Sequence, residues 1–236
     1  MRDPYAVLVS EVMLQQTQAV RVVPRWTAWM RRWPTAAALA AASPADVLRE
    51  WVGLGYNRRA LRLREACAVV ARDGWPDDLT RLPGVGPYTA AAVASFAFGR
   101  DAAAVDVNVR RVCSRLGRGT AQELLPPGRA AAFNQAMMNL GATVCRARGA
   151  RCGACPVAPW CASRGRVRIA DPRATGGRMR FEETSRWARG RVVAALAAGE
   201  GLPPDVPDAR LADALAGLER DGLVVRGADG APRLPG

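Results

Sequence analysis

The 236-residue chain contains no histidine and no lysine. Every positive side chain is an arginine, so general acid–base work must fall to carboxylates, tyrosine or cysteine. With no lysine amine there is no side-chain Schiff base, which excludes a lysine imine mechanism. Long hydrophobic runs are missing as well. Half of the residues are hydrophobic, but no run reaches the ~18 apolar residues that a membrane-spanning helix needs. The opening, MRDPYAVLVSEVML, lacks the basic n-region, long apolar stretch and small-residue cleavage site of a signal peptide. A cytoplasmic protein with reduced cysteines is therefore expected. Alternating strand patterns of useful length are absent before residue 220.

What is present is concentrated. Cys145, Cys152, Cys155 and Cys161 follow a C-x6-C-x2-C-x5-C spacing among Pro, Gly and Arg. Thiolates packed this closely read as ligands of one soft metal centre. Uneven spacing suits an iron–sulfur cubane; a structural zinc site usually shows two short knuckles, and here there is one. Zinc ranks second and two disulfides third. Cys67 and Cys113 lie among apolar neighbours and read as core.

The net charge of +13 is unevenly placed. Residues 171–236 hold ten Arg against ten acids, leaving 24 Arg against 11 acids in residues 1–170. A lobe this basic suits a polyanion, nucleic acid above all, although a coding bias towards Arg and Ala would also produce it.

The hydrophobic pattern is almost wholly helical. An apolar segment from Tyr5 is expected to stop at Pro24 and resume over Arg25–Trp33. Ser43-Pro44 opens a capped helix to about Trp51. Further helices are expected over Arg58–Asp73, Thr89–Phe98, Val107–Leu116 and Ala130–Leu140. A turn-rich linker, Asp171–Gly177, precedes amphipathic segments at Ser185–Ala198 and Asp208–Asp221. Leu223–Val225 and the turn Ala228-Asp229-Gly230 then suggest a short hairpin. Helix, helix, hairpin is a winged-helix-like outline, expected as a small separate unit; a tail packed on the main domain is the alternative.

Three motifs carry chemistry. In Leu82-Pro83-Gly84-Val85-Gly86-Pro87-Tyr88-Thr89 two glycines leave backbone N–H groups open at a helix N-terminus, which suits a phosphate. Asp106, in a D-x-N pair with Asn108, precedes a helix, where an N-cap is the plain explanation. Glu11 sits among Val7, Leu8, Val9 and Val12, either on the surface or buried with a raised pKa.

Together, the hairpin, the downstream Asp and the four-cysteine loop resemble the helix-hairpin-helix–GPD superfamily of DNA glycosylases, which includes the cluster-bearing endonuclease III. Within it, SEVMLQQTQ, WVGLGY, LPGVGPYT, DVNVRRV and NLGATVC look like the adenine-removing branch. The resemblance covers about residues 3–165, in the family's order and spacing. It implies an all-α, two-lobed fold with an active-site cleft between the lobes. The helical-barrel lobe would span 1–117 and the cluster lobe 118–170. A linker at 171–180 and a winged-helix-like unit at 181–236 would follow.

The resemblance also implies roles. Asp106 would stabilise or transiently trap the sugar cation, and Glu11 would protonate the purine at N7 and later position water, as two carboxylates flanking a glycosidic bond. Asn108 would hydrogen-bond near Asp106 or the sugar. Tyr88 stands where bifunctional relatives carry a lyase lysine, so a monofunctional enzyme is expected. The target base would be flipped out of double-stranded DNA, with Gln16 and Tyr56 filling the stack. Gly84, Val85 and Gly86 would hold a phosphate, as would Arg146, Arg148 and Arg151 beside the lesion. Cys145, Cys152, Cys155 and Cys161 would bind a [4Fe-4S] cluster. Adenine opposite 8-oxoguanine or guanine is the expected substrate, for a monomer acting on nucleoid DNA with no membrane partner. A thymine or uracil glycosylase acting opposite G is the runner-up, and a non-catalytic iron–sulfur DNA-binding protein is the alternative from another class.

The chain departs from the family in three places. The residues after Arg173 are too few for the Nudix-like domain that reads 8-oxoguanine. The start at Arg2-Asp3-Pro4-Tyr5 lacks the preceding helix that lines the adenine pocket, implying a truncated start or a different pocket. Val107 replaces the usual Gly between Asp and Asn.

Overall fold

A computed structural model describes residues 3–167 and 179–236. The expected linker at 171–180 lies, but for its last two residues, outside them. Ten α-helices fall among the described residues, and their ends follow local chemistry. α1 (Pro4–Leu14) and α2 (Ala19–Arg32) are separated by polar Gln15–Gln18, and Gln16 turns the chain with φ +58°. The break thus differs from the expected stop at Pro24, which lies inside α2. Proline there removes one N–H and crowds the carbonyl four residues back, yet α2 continues through it, whereas four consecutive polar residues remove the apolar stripe that would bury a continuous helix.

α3 (Ala36–Ala41), which the sequence pattern did not announce, is capped by the Thr35 hydroxyl accepting from Ala38 N. α4 (Pro44–Trp51) has the expected Ser43 cap and Pro at its first turn. α5 (Arg58–Asp73) ends at Gly74 with φ +80°. α6 (Pro87–Phe96) begins two residues earlier than expected because Pro87 takes the first helical position behind Gly86. α7 (Val107–Leu116) and α8 (Ala130–Asn139) follow, and α8 runs into a π-helical turn, Leu140–Val144, that delivers Cys145. α9 (Ser185–Ala198) and α10 (Asp208–Arg220) precede strands β1 (Val225–Arg226) and β2 (Pro232–Arg233), paired antiparallel.

The chain forms two compact units. One gathers the residues up to Glu11, Asp78–Thr80, and Val85 onward through the cysteine loop. Val109, Val112, Ala121 and Met137 form an apolar core there, with Phe133, Met138 and Cys145 packed against it. Buried Asn134 ties the non-helical segment before α7 to this core. Its Oδ1 accepts from Ala104 N, and its Nδ2 donates to Ser95 Oγ and Ala102 O. The other unit gathers Val12–Asp77, Arg81–Gly84 and the chain from Met179 on. Its core is aromatic. Trp29 lies edge-on to Trp33 and Trp51 at 4.7 and 5.5 Å, and α3 and α4 pack on α5. α9 packs on α4 and α10 in this same unit, so contacts group residues 179–236 with the N-terminal helices.

Candidate active site

Glu11 lies three-quarters along α1, half-buried, with apolar neighbours on the same helix. The Tyr88 Oη, from the second residue of α6, donates to Glu11 Oε2 at 3.0 Å and sits 3.9 Å from Met138 Sδ. Burial pushes the Glu11 carboxyl above its ordinary range, more than the Tyr88 bond lowers it. The Tyr88 phenol is driven upward by burial first, then by the charge and hydrogen bond of Glu11, then by the charge of Asp106. Tyr88 therefore stays protonated and acts as a donor, and both carboxylates lie within electrostatic reach of its hydroxyl.

Asp106 is indeed the N-cap of α7, its Oδ1 accepting from Val109 N at 2.7 Å. Its Oδ2 accepts from Asn108 Nδ2 at 2.7 Å. Capping and availability for chemistry are not exclusive, since the helix N-terminus favours the anion. Asn108 is itself held by Arg111, whose Nη2 donates to Asn108 Oδ1 and Gly141 O at 2.8 and 2.7 Å. Gly141 is required here, because a Cβ on it would lie 2.6 Å from the Asn108 Cβ. Sequence reasoning assigned no role to Arg111, Met138 or Gly141, although DVNVRRV and NLGATVC contain two of them.

The four cysteines line one recess, open to solvent, together with Arg115 and Val144. Among the described residues no three Cys, Asp or Glu side chains draw together closely enough to hold a single ion. Arg115 fastens both ends of the loop. Its Nη1 donates to Cys145 Sγ at 3.4 Å and Arg146 O at 2.8 Å, while its carbonyl accepts from Cys161 Sγ at 3.3 Å. Arg146, Arg148 and Arg151 are exposed on this loop. Cys67 is buried, its thiol pushed up to about 12 by burial, which agrees with a core role.

In the other unit, Gln16 and Tyr56 are the non-glycine residues with positive φ among those described, at 58° and 49°. Both are exposed, so Tyr56 is not a core aromatic. Backbone held in this region persists only where neighbours impose it. Arg59 does so: its guanidinium donates to Val12 O and to Gln15 O (2.8 Å) before the first tip, and to Leu54 O (3.3 Å) and Gly55 O (2.9 Å) before the second. Its charge is partly desolvated, which lowers its pKa to about 10. In the glycine turn, Gly84 has φ +76° and a Cβ there would meet Arg62 Cβ at 2.7 Å. Val85 buries its side chain, and Gly86 faces open space as the α6 N-cap, so no side chain covers the first amides.

Residues 9–126 match the family model for the HhH-GPD superfamily of base excision DNA repair proteins. An adenine DNA glycosylase of Mycobacterium tuberculosis is 46% identical, aligning 99% of this chain with 86% of that protein. The human adenine DNA glycosylase is 44% identical over 70% of this chain and 34% of its own length. Among solved structures, a thermostable thymine-DNA glycosylase superposes with a TM-score of 0.65 at 29% identity, covering 71% of this chain and 87% of that one. A trapped endonuclease III–DNA covalent intermediate gives 0.61 at 26% identity, covering 70% and 86%.

Proposed function

The chain belongs to the HhH-GPD superfamily of base excision DNA repair proteins, and on that premise we propose that it is a monofunctional adenine DNA glycosylase acting on adenine opposite 8-oxoguanine or guanine. The observation that carries the reading is the pair of unlike carboxylates at Tyr88. Glu11, whose carboxyl burial shifts towards the protonated form, is the acid that protonates the departing purine. Asp106, hydrogen-bonded by Val109 N and Asn108, is the anion facing the sugar as positive charge develops. Tyr88 orients Glu11 through its hydroxyl. A phenol held protonated is a poor nucleophile, and the chain has no lysine, so base release would leave an abasic site.

Cys145, Cys152, Cys155 and Cys161 would hold a [4Fe-4S] cluster, which supplies structure to the loop carrying Arg146, Arg148 and Arg151 rather than chemistry to the base. The thymine reading is weaker on identity, at 29% against 46%. Gly84, Val85, Gly86, Gln16 and Tyr56 would contact the duplex, and the monomer would work on chromosomal DNA in the cytoplasm.

Duplexes carrying A opposite 8-oxoguanine, A opposite G, T opposite G and U opposite G, each developed with and without alkali, test this directly. Alkali-dependent strand breaks are expected from the two A-containing duplexes. No product from either ends the adenine reading, and breaks without alkali end the monofunctional one. Iron analysis with a visible absorbance band checks the cluster, and stoichiometric zinc in its place would overturn it.

A further inference from the structure

Two open cavities flank Tyr56, and α9 walls both. The one towards Gln16 and Thr17 has about 400 Å³. The other, about 420 Å³, lies between the start of α5, α9 and the end of α10. Arg58, Arg59, Arg186 and Arg189 line this second cavity, and Asp221 is the single acid among its lining residues. Four guanidiniums thus face one carboxylate.

Structural roles account for three of the four. Arg58 pairs with Asp221 at 3.3 Å and Arg189 pairs with the same carboxylate, joining α9 to α5 and α10. Arg59 is spent on backbone carbonyls. Arg186 is left over. Its guanidinium carbon lies 5.2 Å from the Tyr56 ring centre and 4.8 Å from that of Phe181, so aromatic contacts fix its plane. One of its five donors is used, Nη1 to Tyr56 Oη at 2.7 Å, and no carboxylate pairs with it among the described residues. A guanidinium held by rings with its edge open is preorganised for a two-oxygen anion.

We propose that this cavity binds a backbone phosphate of the DNA, gripped by Arg186, so that the C-terminal segment belongs to the DNA-binding surface. A base edge is the less suitable occupant, because a neutral group would leave the excess positive charge of the cavity uncompensated. The proposal rests on the DNA-repair reading above.

The test uses the full chain and a duplex with a non-cleavable abasic analogue opposite G, then opposite T, so that binding is measured without base release. Association constants are taken across a salt series for the wild type, Arg186→Gln and Arg186→Lys. Loss of one phosphate contact should lower the slope of log K against log salt by about 0.9 in Arg186→Gln, equally for both duplexes, while Arg186→Lys keeps the wild-type slope. Because both variants lose the stacked fork, the difference between them reads charge alone even if packing at Tyr56 suffers. Equal slopes in Gln and Lys variants overturn the site. A loss confined to the duplex with G opposite overturns the phosphate in favour of a base edge. Base release by the wild type is scored in parallel. Its absence with the slope change present strikes the glycosylase reading alone, and its presence with equal slopes strikes the phosphate site alone.

Discussion

The Glu11–Tyr88–Asp106 region and the Gln16–Tyr56 tips solve opposite problems. At the first, hydrogen bonds and burial set protonation. Glu11 is held towards its neutral form, Tyr88 stays a donor, and Asp106 accepts from two N–H groups, with strain nowhere required. At the second, no carboxylate is involved. Backbone strain and arginine contacts present two exposed side chains to solvent. Chemistry on a glycosidic bond needs unlike acids fixed in place, whereas gripping a duplex needs protruding groups on a stiff base. The difference predicts that substitutions in the first region cost rate without stability, and those that loosen a support cost both.

The largest effect should come from Asp106→Asn. Asparagine caps a helix about as well as aspartate, so the thermal midpoint should hold while single-turnover base release falls by about 10³-fold or more. Full activity would remove Asp106 from the mechanism.

Glu11→Gln comes next, with a loss on the order of 10²–10⁴-fold. Its pH behaviour sharpens the contrast. Because burial raises the folded pKa, the folded state holds a proton that the unfolded chain has released, and stability falls as pH rises through that window. The Gln variant escapes this, so its midpoint should equal or exceed the wild type at pH 7 and converge with it at low pH. Wild-type activity should decline on the alkaline side as Glu11 deprotonates. A midpoint lowered at pH 7 would contradict a Glu11 carboxyl raised by burial.

Gly141→Ala should cost about 1–3 kcal/mol by denaturant unfolding, since its Cβ cannot be placed without moving Asn108; base release should fall with it. The smallest effect is expected from Tyr56→Phe, which keeps the ring and loses only the bond from Arg186. Duplex affinity should weaken by about threefold or less, and a loss above tenfold would give the hydroxyl a role beyond holding Arg186.

Helices with chemical punctuation were legible from sequence. Ser43-Pro44 opens α4 as expected, and α5 and α7 keep their expected bounds, each closed by a glycine. Pro24 misled because α2 tolerates the lost bond and crowding of one proline while its neighbours still bury Val22 and Trp29. The chemical groups, Glu11, Tyr88, Asp106 and Asn108, could be named from motifs. Their supports could not. Arg59, Arg111 and Arg115 each bind backbone carbonyls 4 to 47 residues away, and a carbonyl carries no sequence signature. The positive φ of Tyr56 was equally hidden, because a tyrosine does not announce a left-handed backbone.

The π-helical turn at Leu140–Val144 aims a cysteine. A π turn holds one residue more than the α-helical turn it replaces, and each residue advances an α-helix by about 100°. Without the extra residue, Cys145 would leave α8 pointing to a different side, away from the recess it shares with Cys152, Cys155 and Cys161. The aim of the first cysteine is therefore set by the length of the backbone turn before it. A chain one residue shorter here should turn Cys145 out of the recess.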